Sequence, residues 1–364
     1  MDIFQLLTIV KAREASDLHI SAGSPPLIRV NGDLTHVDHL APLTIEEVNS
    51  IFLQIVTPGG LEKFQKNLEL DFRYLLPDGT SLRCNAAQER GKLSLSIRLL
   101  PPVVRTIDEL QLPEVCKKLA HLERGLIVVS GPTGSGKTTT QAAMIQHINA
   151  NQTRHVLSFE DPIEYSHPNI KSKITQRELG GDTYSFAQAM KHALRHDPDV
   201  IVVGEMRDSE TASAVISMAE TGHLVISTGH APYAAQTVER IIDLFPHNER
   251  FLIQMRLASL LTAVLCQSLV PRADGSGRIA AVEIMLVNGA IRNLIREGKL
   301  TVLAEAIRDY GQGGNTTIDE ALFKLYWQGT ITMETVIKYC REPEEVRRLT
   351  SEALTRKKIP VGKT

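Results

Sequence analysis

Gly131, Pro132, Thr133, Gly134, Ser135, Gly136, Lys137, Thr138 and Thr139 bring together the residue types that hold a chain of phosphates. Glycines let successive backbone N–H groups curl around one anion, and a helix N-terminus behind them adds its partial positive charge. Lys137 is placed to reach the β- and γ-phosphates, and the Thr138 hydroxyl to ligate Mg²⁺. The pattern gains force from its flanks. Leu126 to Val129 reads as a buried strand, and the periodic Ala142, Met144, Ile145 and Ile148 read as a helix. The expected ligand is a nucleoside triphosphate.

Hydrolysis needs two further things: a carboxylate on the metal side and a group that orients or deprotonates water. The acidic end of Val200-Ile-Val-Val-Gly-Glu205 suits the first task, although Asp is the usual residue there. Glu160 and Glu164, in Glu160-Asp-Pro-Ile-Glu-Tyr165, are candidates for the second. Pro162 disfavours a regular helix between them, so chemistry alone leaves both open. For any single carboxylate the bland alternative is a solvated loop residue. Two acidic clusters at strand ends beside a phosphate loop favour a functional role. His223 and His230 bracket a short strand and have no further ligand grouped with them, which argues against a metal site. His230 suits a γ-phosphate sensor. Arg105 and Arg124 flank the linker and the first core strand, where an arginine could neutralise developing charge. Residue type alone does not select them from 40 Lys and Arg.

The elements that must position these groups are also readable. Ile3, Leu6, Leu7 and Val10 have helical spacing, and Ser16 to Ile20 reads as a strand. Leu27–Val30 and Leu34–Val37 flank the hairpin signal Asn31-Gly32. Thr44-Ile-Glu-Glu47 is a capping box, and strands are expected over Leu70–Leu75, Ser81–Ala86 and Leu93–Leu99. Asp17 and His19 lack a third member of a catalytic set and read as strand residues. Residues 1–100 form an α+β domain in this reading, 101–112 a linker opened by Pro101-Pro102, 113–288 a core and 289–364 a helical segment ending in a basic tail. In the core, strands alternate with helices, which predicts a parallel sheet covered on both faces. Such sheets bind ligands beyond the carboxyl ends of their strands. That rule gathers Glu160, Asp161, Glu164, Glu205 and His230 near the phosphates. Cys266–Val270 and Ile279–Met285 read as a closing antiparallel hairpin.

At 364 residues with a formal charge of −2, the chain is expected to hold more than one domain and has no basic excess. A dedicated nucleic-acid binder is disfavoured, and no nucleic-acid partner is expected. The four cysteines are widely spaced and form no Cys-x-x-Cys pair, which argues against zinc and a disulfide framework. No leader or membrane-spanning run is visible, so a cytoplasmic protein without a transmembrane segment is the expectation.

Five stretches together resemble the type IV pilus retraction ATPases, the PilT family of secretion-type ring ATPases. They are Ser16-Asp-Leu-His19, the loop Gly131–Thr140, Glu160–Tyr165, Gly204-Glu-Met-Arg-Asp208 and Ala290-Ile-Arg-Asn-Leu-Ile-Arg-Glu-Gly-Lys299. The last is typical of retraction motors, and Met206 stands where assembly motors usually carry Ile. The resemblance implies an α/β chain with a RecA-like P-loop ATPase core, a smaller PAS-like α+β N-terminal domain and a helical C-terminal extension. It also implies ATP and Mg²⁺ as ligands, a homohexamer, and attachment to an inner-membrane platform protein of the pilus machine. By position in the family motifs, Glu164 matches the catalytic carboxylate and Glu205 the Walker B glutamate. His223 and His230 match the paired histidines, and Arg105 and Arg124 the arginines that reach nucleotide. Arg292 to Lys299 matches a segment needed for retraction but not hydrolysis. The family's Gly-Thr-Leu-His-Thr box is here Ser227-Thr-Gly-His-Ala231, which changes the neighbours of His230. A pilus-assembly or type II secretion ATPase is the nearest alternative.

Overall fold

The computed structural model describes residues 2–30, 32–37, 39–100, 103–309 and 311–358. Asn31 of the hairpin signal, Pro101-Pro102 of the linker and residues 359–364 of the basic tail lie outside the described residues. The chain divides into two compact units, Met1–Val104 with Pro162–Ser166, and Arg105–Asp161 with His167–Thr364.

The first unit contains β1 (Asp17–Ser21), β2 (Leu27–Val30), β3 (Asp33–His36), β4 (Glu69–Leu75), β5 (Ser81–Glu89) and β6 (Lys92–Leu100). They form one antiparallel sheet in the order β3-β2-β1-β6-β5-β4. Helix Ile3–Ala12 buries the four apolar residues that marked it. The capping box closes as expected, with Thr44 N–H donating to the Glu47 carboxylate at 2.9 Å and Glu47 N–H to the Thr44 hydroxyl at 3.2 Å. Helix Pro58–Asn67 was not anticipated, because Pro-Gly-Gly reads as a turn. Pro58 costs nothing in the first helical turn, whose N–H groups have no intrahelical partner. Phe64 then anchors the helix edge-to-face on Phe52, 5.1 Å between ring centroids. Burial raises the Asp17 pKa, but Ser16 and Arg98 outweigh it and hold the carboxyl below its ordinary range. His19 Nδ1 lies 3.2 Å from Ser96 Oγ. Both are strand residues with structural partners.

The second unit is built on β7 (Gly125–Ser130), β8 (His155–Glu160), β9 (Lys173–Glu178), β10 (Val200–Val203), β11 (Leu224–Thr228), β12 (Leu261–Pro271) and β13 (Arg278–Leu286). Their order is β13-β12-β7-β11-β10-β8-β9, with β13 antiparallel to β12 and all other pairs parallel. Strand alternation sorts the core by face. Leu126, Val128, Leu157, Phe159, Ile201 and Val225 pack toward helices Phe186–Ala193, Ser209–Glu220 and Ala234–Asp243. Ile127, Val129, Val156, Val200, Val202 and Ile226 pack toward Val115–Ala120 and Lys137–Asn151. Both faces are therefore dry, which is why these strands read as continuous apolar runs. The hairpin β12–β13 is longer than expected, and β12 also joins β7, making it part of the core sheet. The edge strand β9 went unread because Lys-Ile-Thr-Gln-Arg-Glu shows little apolar alternation.

Helix Gly289–Arg296 buries Ile291 and Ile295 in the same cluster as β7, β10 and β11. Helices Ile318–Trp327, Met333–Tyr339 and Pro343–Lys358 follow. Buried Glu283 on β13 accepts from the Ala234 N–H at 2.7 Å and the Ile318 N–H at 3.3 Å. It thereby satisfies donors at two helix starts that would otherwise be orphaned. Among the described residues, no helix is long and apolar enough to cross a membrane.

Candidate nucleotide site

The loop between β7 and helix Lys137–Asn151 curls through positive φ at Gly131 (140°), Gly134 (78°) and Gly136 (86°). At Gly131 space as well as conformation demands glycine. A Cβ there would stand 2.4 Å from Gln267 O and 2.6 Å from Ser135 Oγ. Gln267 grips the loop from β12, its side-chain nitrogen donating to Ser135 O at 2.6 Å. Pro132, Thr133 and Gly134 are exposed at the tip, while Thr138 and Thr139 are half-buried at the first helical turn. Lys137 Nζ donates to Gly131 O at 2.8 Å and to Pro132 O at 3.1 Å, so the ammonium lies over the loop. Phosphate oxygens are stronger acceptors for that group than neutral carbonyls.

The helix behind the loop is tied to the strands that carry the acidic groups. Buried Gln141 donates to Ile226 O, midway along β11, at 3.3 Å and to Val203 O, at the carboxyl end of β10, at 3.5 Å. Ser130 Oγ donates to Ala231 O at 2.7 Å, and Gly229 N–H to Val129 O at 3.0 Å. A Cβ on Gly229 would sit 3.0 Å from Ser130 Oγ, so the glycine in this unusual box permits a close approach. Thr228 Oγ1 donates to Gly204 O, joining the box to the turn after β10. These bonds hold His230 where its Nε2 meets Glu205 Oε2 at 2.7 Å, while the other Glu205 oxygen pairs with Arg207. A cavity of about 210 Å³ beside them is lined by Arg207, Thr228, His230 and Arg240, among others.

Glu160 is half-buried at the end of β8 and accepts from Ser158 Oγ at 2.6 Å and Gln176 Nε2 at 3.0 Å. Glu164 belongs to the segment Pro162–Ser166, which groups with the first unit, and its carboxylate lies 3.7 Å from Arg83 Nη1. Arg105 is exposed at the start of the second unit. The structure does not bring Arg124 or His223 to the phosphate loop of their own chain. His223 O accepts from Gly125 N–H at the amino ends of β11 and β7. The strands themselves, about 17 Å long at roughly 3.3 Å per residue, separate that edge from the loop.

Among the described residues, no group of three or more His, Cys, Asp or Glu could cage a metal. A hydroxyl and one carboxylate nevertheless suit Mg²⁺, which keeps waters and takes its remaining oxygens from bound phosphates. One residue that holds the loop escaped the sequence reading. Gln267 had one signal, a lone amide inside Leu265-Cys-Gln-Ser-Leu269.

The type II/IV secretion system protein family matches residues 90–338. The "type IV pilus retractation ATPase PilT" of Pseudomonas aeruginosa is 42% identical over 344 residues, 94% of this chain and 99% of that protein. A "twitching motility protein" of Neisseria gonorrhoeae is 43% identical, spanning 88% of this chain and 86% of its own length. Among solved structures, one described as the pilus retraction motor PilT with bound ADP superposes with a TM-score of 0.88. It is 38% identical and covers 96% of this chain and 99% of its own.

Proposed function

The chain belongs to the type II/IV secretion system protein family, and on that premise we propose how it works as an ATPase of type IV pilus retraction. The observation that carries the reading is the phosphate loop itself. Three of its glycines turn through positive φ just before the start of helix Lys137–Asn151, and the Lys137 ammonium lies over the loop they form, the residue types and order that suit a bound anion. That loop sits in a chain alike in sequence over nearly the full length of a retraction ATPase. Gly131, Pro132, Thr133, Gly134, Ser135 and Gly136 wrap the phosphates, and Lys137 binds the β- and γ-oxygens. Thr138 and, through water, Glu205 would hold Mg²⁺, which when bound neutralises charge on those oxygens.

Glu164 takes the proton of the attacking water in this reading, and Glu160 orders the turn before it. His230, fixed by Glu205, reports the γ-phosphate. Arg105 and Arg124 reach nucleotide held by a neighbouring subunit of a homohexamer, as does His223. This assignment fits the exposure of Arg124 at the strand edge opposite its own loop. Loss of the γ-phosphate removes the charge that draws these cations together, and that release becomes movement. The hexamer works in the cytoplasm against an inner-membrane platform protein of the pilus machine.

The segment Ala290–Lys299 supplies a test that separates work from chemistry. Arg292 Nε donates to Ala258 O at 3.2 Å and so has a structural duty, whereas Arg296 is exposed. Arg296→Ala is expected to keep kcat for ATP within about twofold, the mark of a residue outside the chemical step. Twitching on agar should nevertheless be lost. Collapse of hydrolysis in the purified variant would instead place the segment in the active site.

A further inference from the structure

The segment carrying Glu164 leaves the second unit after Asp161 and returns at His167. Gln176, on β9, holds both stems of that excursion. Its side-chain nitrogen donates to Glu160 Oε1 at 3.0 Å, and its side-chain oxygen accepts from the His167 N–H at 3.0 Å. Each stem has further anchors within the same unit. On the outgoing side, Ser158 Oγ donates to the same Glu160 oxygen at 2.6 Å, and Glu160 O accepts from Leu179 N–H at 2.9 Å. On the return side the His167 ring is buried, which pushes its pKa down to about 4 and keeps it neutral at neutral pH. Asn149, buried near the end of the phosphate-loop helix, donates to Pro168 O at 2.7 Å and accepts from Ile170 N–H at 3.1 Å. The two stems are thus fastened to β8, to β9 and to the helix that begins at Lys137.

A primary amide is the side chain this bridge requires. One end must donate to a carboxylate and the other must accept from a backbone N–H. Glu lacks the donor, and Leu lacks both functions. Asn has the right groups on a stem one methylene shorter.

We propose that Gln176 is a positioning residue for ATP hydrolysis, bridging the two stems so that the loop between them presents Glu164 at a fixed span. The proposal rests on the reading of Glu164 given above. Misplacing a reacting group by about 1 Å can cost on the order of a hundredfold in rate. The effect should therefore fall on turnover. Nucleotide affinity is carried by the phosphate loop and should stay.

The test uses the full-length protein with Gln176→Leu, Glu164→Gln and the double variant. For each, kcat is measured together with affinity for a fluorescent ADP analogue. Gln176→Leu should lower kcat about 10- to 100-fold, with ADP affinity within about twofold of wild type. The double variant should turn over no more slowly than Glu164→Gln alone, because residues acting through one another are not additive. If Gln176→Leu does not fold, Gln176→Glu preserves shape and the acceptor while deleting the donor, and should also slow turnover. Wild-type turnover in the folded variant, a parallel loss of ADP affinity, or a fully multiplicative double variant would each overturn the proposal. Failure of the underlying reading looks different. It would appear as normal turnover in Glu164→Gln with Gln176 untouched.

Discussion

Lys137→Ala is expected to lose ATP binding by more than about a hundredfold, since a hydrogen bond to a charged group contributes about 1.5–3 kcal/mol and the proposed role of Lys137 is to reach two phosphates. The fold should survive. The variant loses the ammonium's bonds to Gly131 O and Pro132 O, but the positive φ of Gly131, Gly134 and Gly136 and the grip of Gln267 from β12 still shape the loop. Titration with a fluorescent ATP analogue, beside a thermal melt, separates loss of the ligand from loss of the protein. Retained binding would mean that the ammonium lies over the loop for another purpose.

Glu164→Gln should behave in the opposite way, binding ATP as wild type does and hydrolysing it slowly. General-base catalysis is worth about 10²–10⁴ in rate, and the amide keeps size and polarity while removing the proton acceptor. Glu160 is the competing carboxylate, but Ser158 Oγ and Gln176 Nε2 both donate to its Oε1, a geometry suited to ordering the turn rather than to taking a proton. Single-turnover measurement with pre-bound ATP isolates the chemical step. An unchanged rate would pass the role of base to another group.

What could be read in advance follows from where the chemistry lies along the chain. Gly131 to Thr139 is contiguous, as a phosphate cradle made of consecutive N–H groups must be, so its type and spacing were visible directly. The strands of the core sheet were visible because burial on both sides leaves largely apolar runs, as in β7 and β10. Gln267 was not, since its partner Ser135 is 132 residues away and nothing local demands an amide. Gln176 was hidden for the same reason, inside an edge strand whose polar sequence looked like loop. Helix Pro58–Asn67 was lost to its Pro-Gly-Gly opening, a turn signal in isolation that Thr57 and Phe64 overrule in context. His223 illustrates the reverse. The family resemblance pairs it with His230, and the intervening strand β11 places the two at its opposite ends.

The central claim is that triphosphate cleavage at this loop withdraws pili, and counting surface pili in cells lacking the gene tests it most directly. The account predicts abundant pili that do not shorten and cells that do not twitch. Bald cells would contradict it and assign the chain to assembly instead.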